Sequence, residues 1–292
     1  PAGDGRPVLP AEVDALLDYR DGIKAYHRDP AWHAGVRAHF EVNLRRMAGL
    51  CREAGVPLVW VALPSNLRDC PPFKSEPSPG LSKEERRRRD RLVAEAHEKL
   101  EAGDPTGAVG RLEEAVRLDP ENAALHFELG RARAATGDLA GALVHWRRAR
   151  DLDVCPLRMT SPLEETLRRV AREEGVPLLD WAGSIAARSP GGAPGDDWLV
   201  DHVHPKPEGH QLLAAALLGW MAGRGWVALP DGWRDDVERV WQQHLAGLPA
   251  DYWSEGEKAL AGLRAWTRGE ASGPPIEYRL LRRKGRSPGG TP

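Results

Sequence analysis

The stretch Asp201-His202-Val203-His204-Pro205-Lys206-Pro207-Glu208-Gly209-His210 gathers the side chains of this sequence best suited to moving a proton. A histidine works as a general base when a partner fixes which ring nitrogen carries the hydrogen. On an irregular loop, a carboxylate three residues earlier can fold back to accept that N–H, which leaves the second nitrogen facing a nucleophile. His204 is therefore expected to be general base and then general acid. Asp201 is expected to orient it and to stabilise the imidazolium. Two rival readings use the same residues. His202, His204 and His210 with Asp201 form a His-x-His cluster of the kind that binds zinc. Pro205 and Pro207 constrain that loop, however, and no other His/Asp/Glu cluster lies nearby in sequence; no metal or cofactor is expected. The second rival is a loop-stabilising hydrogen bond without chemistry.

This segment follows a Gly/Pro/Asp-rich loop, Gly191 to Asp197, and leads into an apolar helix expected from Pro207, a good first helical residue. Upstream, residues 1–34 read as short helical pieces broken by Pro10 and Pro30. A helix pattern starts at Gly35, with Phe40, Leu44, Met47, Cys51 and Ala54 in one apolar stripe. Gly55 suits the position after a helix end. Val56-Pro57 then precedes the apolar run Leu58 to Leu63, which fits a buried parallel strand. The phrase recurs: Leu163, Leu167, Val170 and Ala171, then Gly175-Val176-Pro177, then Leu178-Leu179-Asp180-Trp181. Two such units predict an α/β layer with a parallel sheet. Functional loops of such sheets lie beyond the strands' carboxyl ends, here after Leu63 and after Trp181.

Residues 82–153 have a different texture. Gly103-Asp104 recurs at Gly137-Asp138, Ala108 at Ala142, Ala115 at Ala149 and Leu118-Asp119 at Leu152-Asp153, each after 34 residues. That period is the tetratricopeptide repeat's. Leu112 and Trp146 hold the same bulky position, and Ala96 stands where the second copy has Gly130. The copies are placed at about 89–122 and 123–156. Such repeats generally carry binding surfaces, so the insert is expected to dock a protein partner or to act as a lid, with a structural embellishment as the plainer reading. The insert is expected to emerge on the sheet edge that bears the Asp201 loop.

Lys+Arg 41 against Asp+Glu 43 gives a net charge of −2, without the basic excess of a nucleic-acid binder. The basic run Arg86 to Arg89 is flanked by acids and reads as a solvated helix face. Cys51, Cys70 and Cys155 have neither zinc-site spacing nor the density of a disulfide framework. The longest apolar stretch, Leu212 to Gly223, is shorter than the roughly 20 residues of a spanning helix. Residues 225–281 read as helical, with Trp233, Trp241, Trp253 and Trp266 as core anchors, and 282–292 as a disordered tail.

Asp201-x-x-His204-Pro205 with Gly209 and His210 resembles the last block of the GDSL/SGNH hydrolases. The strand ends at Leu63-Pro64-Ser65-Asn66 and Asp180 resemble that family's core. The closer resemblance is to bacterial members with tetratricopeptide repeats between those strands, which share the text around Asn66-Leu67-Arg68-Asp69 and Cys155-Pro156-Leu157-Arg158. The resemblance spans about residues 35–222. It implies a flavodoxin-like, partial doubly wound parallel-sheet body with an all-α repeat insert and C-terminal helices. Residues 1–81 and 157–224 would form the α/β body, 82–156 the insert and 225–281 a helical extension. It also implies an esterase acting on an ester substrate. The family's Gly-Asp-Ser nucleophile segment and its Gly-x-Asn block are absent from this sequence. The chain starts at Pro1, so a nucleophile segment upstream is expected, and this chain alone is expected to be inactive. The alternative function is an interaction scaffold on an inactive body.

Overall fold

The structure is a computed structural model that describes residues 22–267. The sequence readings for 1–21 and 282–292 lie outside the described residues. The described chain is mostly helical. Helix α1 spans Pro30–Glu53, β1 Trp60–Val61, α2 Lys83–Glu101, α3 Pro105–Leu118, α4 Ala123–Ala135 and α5 Leu139–Asp151. Then come α6 Ser161–Glu174, β2 Leu178–Leu179, α7 Trp181–Ala186, α8 Pro207–Gly223, α9 Trp233–Ala246 and α10 Tyr252–Thr267.

Pro30 opens α1 rather than breaking it, so the helix starts ahead of the expected Gly35. The Asp29 carboxylate caps it by accepting from the Trp32 N–H at 2.9 Å, and Pro30 occupies the first turn, where no N–H is needed. Gly55 and Gly175 take positive φ values of 65° and 67° after α1 and α6, and each turns the chain into a Val-Pro step toward a strand. The two strands pair in parallel, Trp60 against Leu178 and Val61 against Leu179. Leu44 and Ala48 of α1, Leu167, Val170 and Ala171 of α6, and Trp60 and Ala62 share one core cluster. The α/β unit is thus present in miniature. The described residues form a two-stranded sheet, not a doubly wound one, and each strand is shorter than its apolar run. With one partner apiece, the ladder supports only the residues that face each other. Trp181, expected at a strand end, opens α7 instead, because Asp180 accepts the Gly183 N–H at 3.0 Å and caps a helix there.

Helices α2 and α3 form one hairpin and α4 and α5 the next, in the 34-residue register read from the sequence. The small residues sit where helices meet: Ala96, Ala108, Ala115 and Ala142 are all 0% exposed. The two copies solve one packing problem in two ways. In the first, Leu112 packs in a cluster with Ala96. In the second, Trp146 fills the equivalent space and a Cβ on Gly130 would lie 2.6 Å from its ring. Gly130→Ala is therefore expected to destabilise by about 1–3 kcal/mol through overpacking. Adding Trp146→Leu, which restores the first copy's pairing, should recover part of that loss in urea unfolding. Additive losses would contradict the contact.

Inside the second hairpin, His126 Nε2–H donates to the Pro120 carbonyl at 3.0 Å, so its Nδ1 is left to accept from His145 Nδ1 at 3.0 Å. A proton added to His126 would go to Nδ1 and set two N–H groups face to face, whereas one added to His145 would go to its Nε2 and place a charge beside His126. Burial first, then the His126 charge, holds the His145 imidazole down at about 4. A depressed histidine is neutral in the folded state, so its stabilising contribution is full above the unfolded value of about 6.5 and erodes as pH falls toward the folded one. The urea midpoint should therefore drop across that acid window, and drop less in His145→Asn.

The C-terminal helices depart from expectation. Trp233 and Trp241 are only half-buried, Trp226 is 44% and Trp253 49% exposed, and α8 buries Gly209 alone. Among the described residues, these tryptophans are not core anchors. No described helix is long and apolar enough to cross a membrane.

Candidate functional site

The loop from Trp198 to Lys206 closes on itself: Val200 N–H donates to His204 O at 2.8 Å and Lys206 N–H to Trp198 O at 2.9 Å. Asp201 stands at its tip with a fully buried side chain. Its Oδ1 accepts the backbone N–H groups of Val203 at 2.8 Å and His204 at 2.7 Å. Its Oδ2 lies 2.6 Å from His204 Nδ1. Burial pushes this carboxyl up, but the two backbone N–H groups and the imidazole outweigh it and hold it below its usual range. With Nδ1–H donated to a carboxylate, the neutral ring presents Nε2 as a free acceptor. The His204 side chain is 68% exposed, so that nitrogen is open to an approaching hydroxyl.

The other histidines play different parts. His202 is buried beside Asp201, with its ring edge-on to Phe73 at 5.2 Å. Its Nδ1 has no hydrogen-bond partner and lies 3.7 Å from Asp201 Oδ1. His210 is exposed on the first turn of α8. Among the described residues, no three His, Cys, Asp or Glu side chains converge as a metal site.

Asn66 is 1% exposed on the loop after β1, and sequence reading gave it no role. Its Nδ2 donates to the Asp201 carbonyl at 3.0 Å and to Asp196 Oδ1 at 2.8 Å, while its N–H donates to the His202 carbonyl at 3.0 Å. The two loops at the sheet's carboxyl edge are thereby tied together directly behind the dyad. Arg158 holds Asn66 in turn. Its Nη1 donates to the carbonyls of Asn66 at 2.8 Å and Cys70 at 2.7 Å, and Nη2 lies 3.3 Å from Asp153 Oδ2. Both side chains of this ion pair are at most 1% exposed. The hint in the sequence was positional: Asn66 stands just past the strand end, where α/β sheets place functional residues.

The recurring Leu-Asp step has a purpose that the period alone does not reveal. Asp119 and Asp153 follow the second helix of each repeat, and both reach out to one extended segment of this same chain. Asp153 accepts from Phe73 N–H at 2.8 Å and Lys74 N–H at 3.0 Å. Asp119 accepts from Ser78 N–H and Ser78 Oγ–H, both at 2.7 Å. Residues 73–78 therefore lie across the repeat ends, gripped by main-chain donors. Arg89, expected to be solvated, instead pairs with buried Asp119 at 2.5 Å. On the other side, Leu67 and Ala193 pack with Phe127, Ala142 and Trp146 of the second repeat. A Cβ on Gly191 would meet Leu139 of α5 at 2.6 Å. The repeats thus contact both loops that frame Asp201.

Residues 93–153 match the tetratricopeptide repeat family. The match runs from within α2 to just past α5, and repeats of this kind support a protein-interaction scaffold. The comparisons give no hydrolase match. No curated protein and no solved structure matches the chain. Cys70 and Cys155 are buried free thiols near the repeat junction. Burial raises them to about 11 and about 12, which leaves them unreactive as thiolates.

Proposed function

We propose that the chain is a protein-interaction scaffold whose repeats also steady an acid–base pair suited to ester cleavage. The scaffold reading rests on the repeat match and on the way the two hairpins already hold extended chain, residues 73–78, through its backbone N–H groups. A random-peptide display selection on the chain tests it. Selected ligands should protect residues 83–153 from hydrogen exchange. Failure to return any ligand, or protection only elsewhere, would count against a scaffold.

A second reading has its own support in the buried carboxylate of Asp201 on His204 Nδ1, with Nε2 left open. On this reading, residues 1–81 and 157–224 belong to one GDSL/SGNH-type domain interrupted by the insert at 82–156, with 225–281 as a helical extension. Asp201 is the orienting acid and His204 the base. His204 Nε2 takes the proton from a serine hydroxyl as its oxygen attacks an ester carbonyl, then returns it to the leaving alkoxide. The serine comes from outside this sequence, which has no Gly-Asp-Ser segment. A fluorophosphonate probe on the full natural reading frame tests this, with Asp201 and His204 variants as controls.

A further inference from the structure

A groove of about 560 Å³ lies between the N-terminal half of α1 and the C-terminal end of the second repeat. Half-buried Leu152, Pro156 and Leu163 line it, with exposed Trp32 and Val36 from α1. Three carboxylates also line it, and each is already matched. Glu121 pairs with Arg28 at 3.4 Å, Asp151 with Arg150 at 3.0 Å, and Asp153 with Arg158 at 3.3 Å. Two cations on the same groove are unmatched. Arg37 and Arg148 are exposed, and among the described residues neither guanidinium has a hydrogen bond or ion pair. The groove therefore offers apolar lining and an uncompensated pair of arginines, while its acids are neutralised internally.

We propose that this groove docks an acidic segment of a protein partner, with an apolar side chain seated against Trp32, Leu152 and Leu163 and carboxylates on Arg37 and Arg148. Guanidinium forks bind carboxylates bidentately, and an exposed tryptophan supplies large contact area to such an anchor. The volume lies in the range of pockets that enclose a few side chains. This inference rests on the scaffold reading and names the surface and the partner's chemistry.

The test uses two displayed pools of 12-residue peptides. One is drawn from Asp, Glu, Leu, Ile, Phe and Trp; in the other, Lys and Arg replace Asp and Glu. The acidic pool should enrich on the chain and the basic pool should not. The best acidic peptide should lose about tenfold or more in affinity for Arg37→Glu/Arg148→Glu. Arg87→Glu/Arg147→Glu makes the same charge change at exposed arginines outside the groove, and should keep most of the affinity. All four positions are exposed, so circular dichroism should show both variants folded. Enrichment of the basic pool, or equal loss in both variants, overturns the proposal. Acidic ligands indifferent to both variants overturn the groove and leave the scaffold standing, whereas no enrichment at all removes both. Arg37- and Arg148-dependent binding to phosphatidylserine vesicles without peptide enrichment assigns the surface to lipid and overturns it as well.

Discussion

Arg158→Met is expected to destabilise the chain by about 3–5 kcal/mol, because removing one partner of a buried ion pair strands the other charge. Here the loss goes beyond the pair. The methionine leaves the Asp153 carboxylate buried without a cation and takes the donor from the carbonyls of Asn66 and Cys70. Replacing Asp153 as well by Leu should not restore stability, although a well-packed apolar pair often substitutes for a buried salt bridge. Asp153 also accepts the N–H groups of Phe73, Lys74 and Cys155, and Leu would leave all three unsatisfied. Urea unfolding at neutral pH checks both variants. A loss below about 1 kcal/mol for Arg158→Met would mean that this pair behaves as an exposed one and does not hold the loops.

The second large effect concerns chemistry. In the full natural reading frame, Asp201→Asn should slow fluorophosphonate labelling by about 10³–10⁴-fold, since an orienting carboxylate fixes the tautomer that leaves the base free. Asn presents an amide that can hydrogen-bond either tautomer of His204. His204→Ala should cost at least as much. The 292-residue chain itself, with no Gly-Asp-Ser segment, should stay unlabelled. Because hydrogen bonds hold the Asp201 carboxyl below its usual range, the orienting charge persists at mildly acid pH. Its contribution to stability is present above the unfolded value of about 3.9 and is lost as pH falls through the folded one. Labelling untouched by both substitutions would assign the pair to loop structure alone.

The dyad was legible because its logic is local: three residues separate Asp201 from His204, and a short loop closes that distance. The repeats were legible because period 34 is a property of the text. The strands were placed correctly but drawn too long, since apolar runs report burial while a ladder needs a partner for every residue. The clamp on the site was not legible. Asn66 meets Asp201 across 135 positions and Arg158 reaches Asn66 across 92, and no spacing rule links polar side chains that far apart. The burial of His202 was not legible for the same reason: Phe73, distant in sequence, covers it. The tryptophans after Gly225 were misread in the opposite direction. Large aromatics favour burial, but nothing among the described residues covers α9 or α10 enough to bury them.

The grip of the repeats on their own chain is the hinge between the two functional readings, and amide hydrogen exchange on residues 71–78 probes it directly. Phe73, Lys74 and Ser78 should exchange as slowly as the core of the repeat helices, because their N–H groups end on buried carboxylates. In Asp119→Ala, Ser78 should speed up together with Glu121, whose N–H rests on Ser78 Oγ, while Phe73 and Lys74 stay protected by Asp153. Rapid exchange at all three amides in the unaltered chain would contradict the clamp, and with it the link from the repeats to the Asp201–His204 loop.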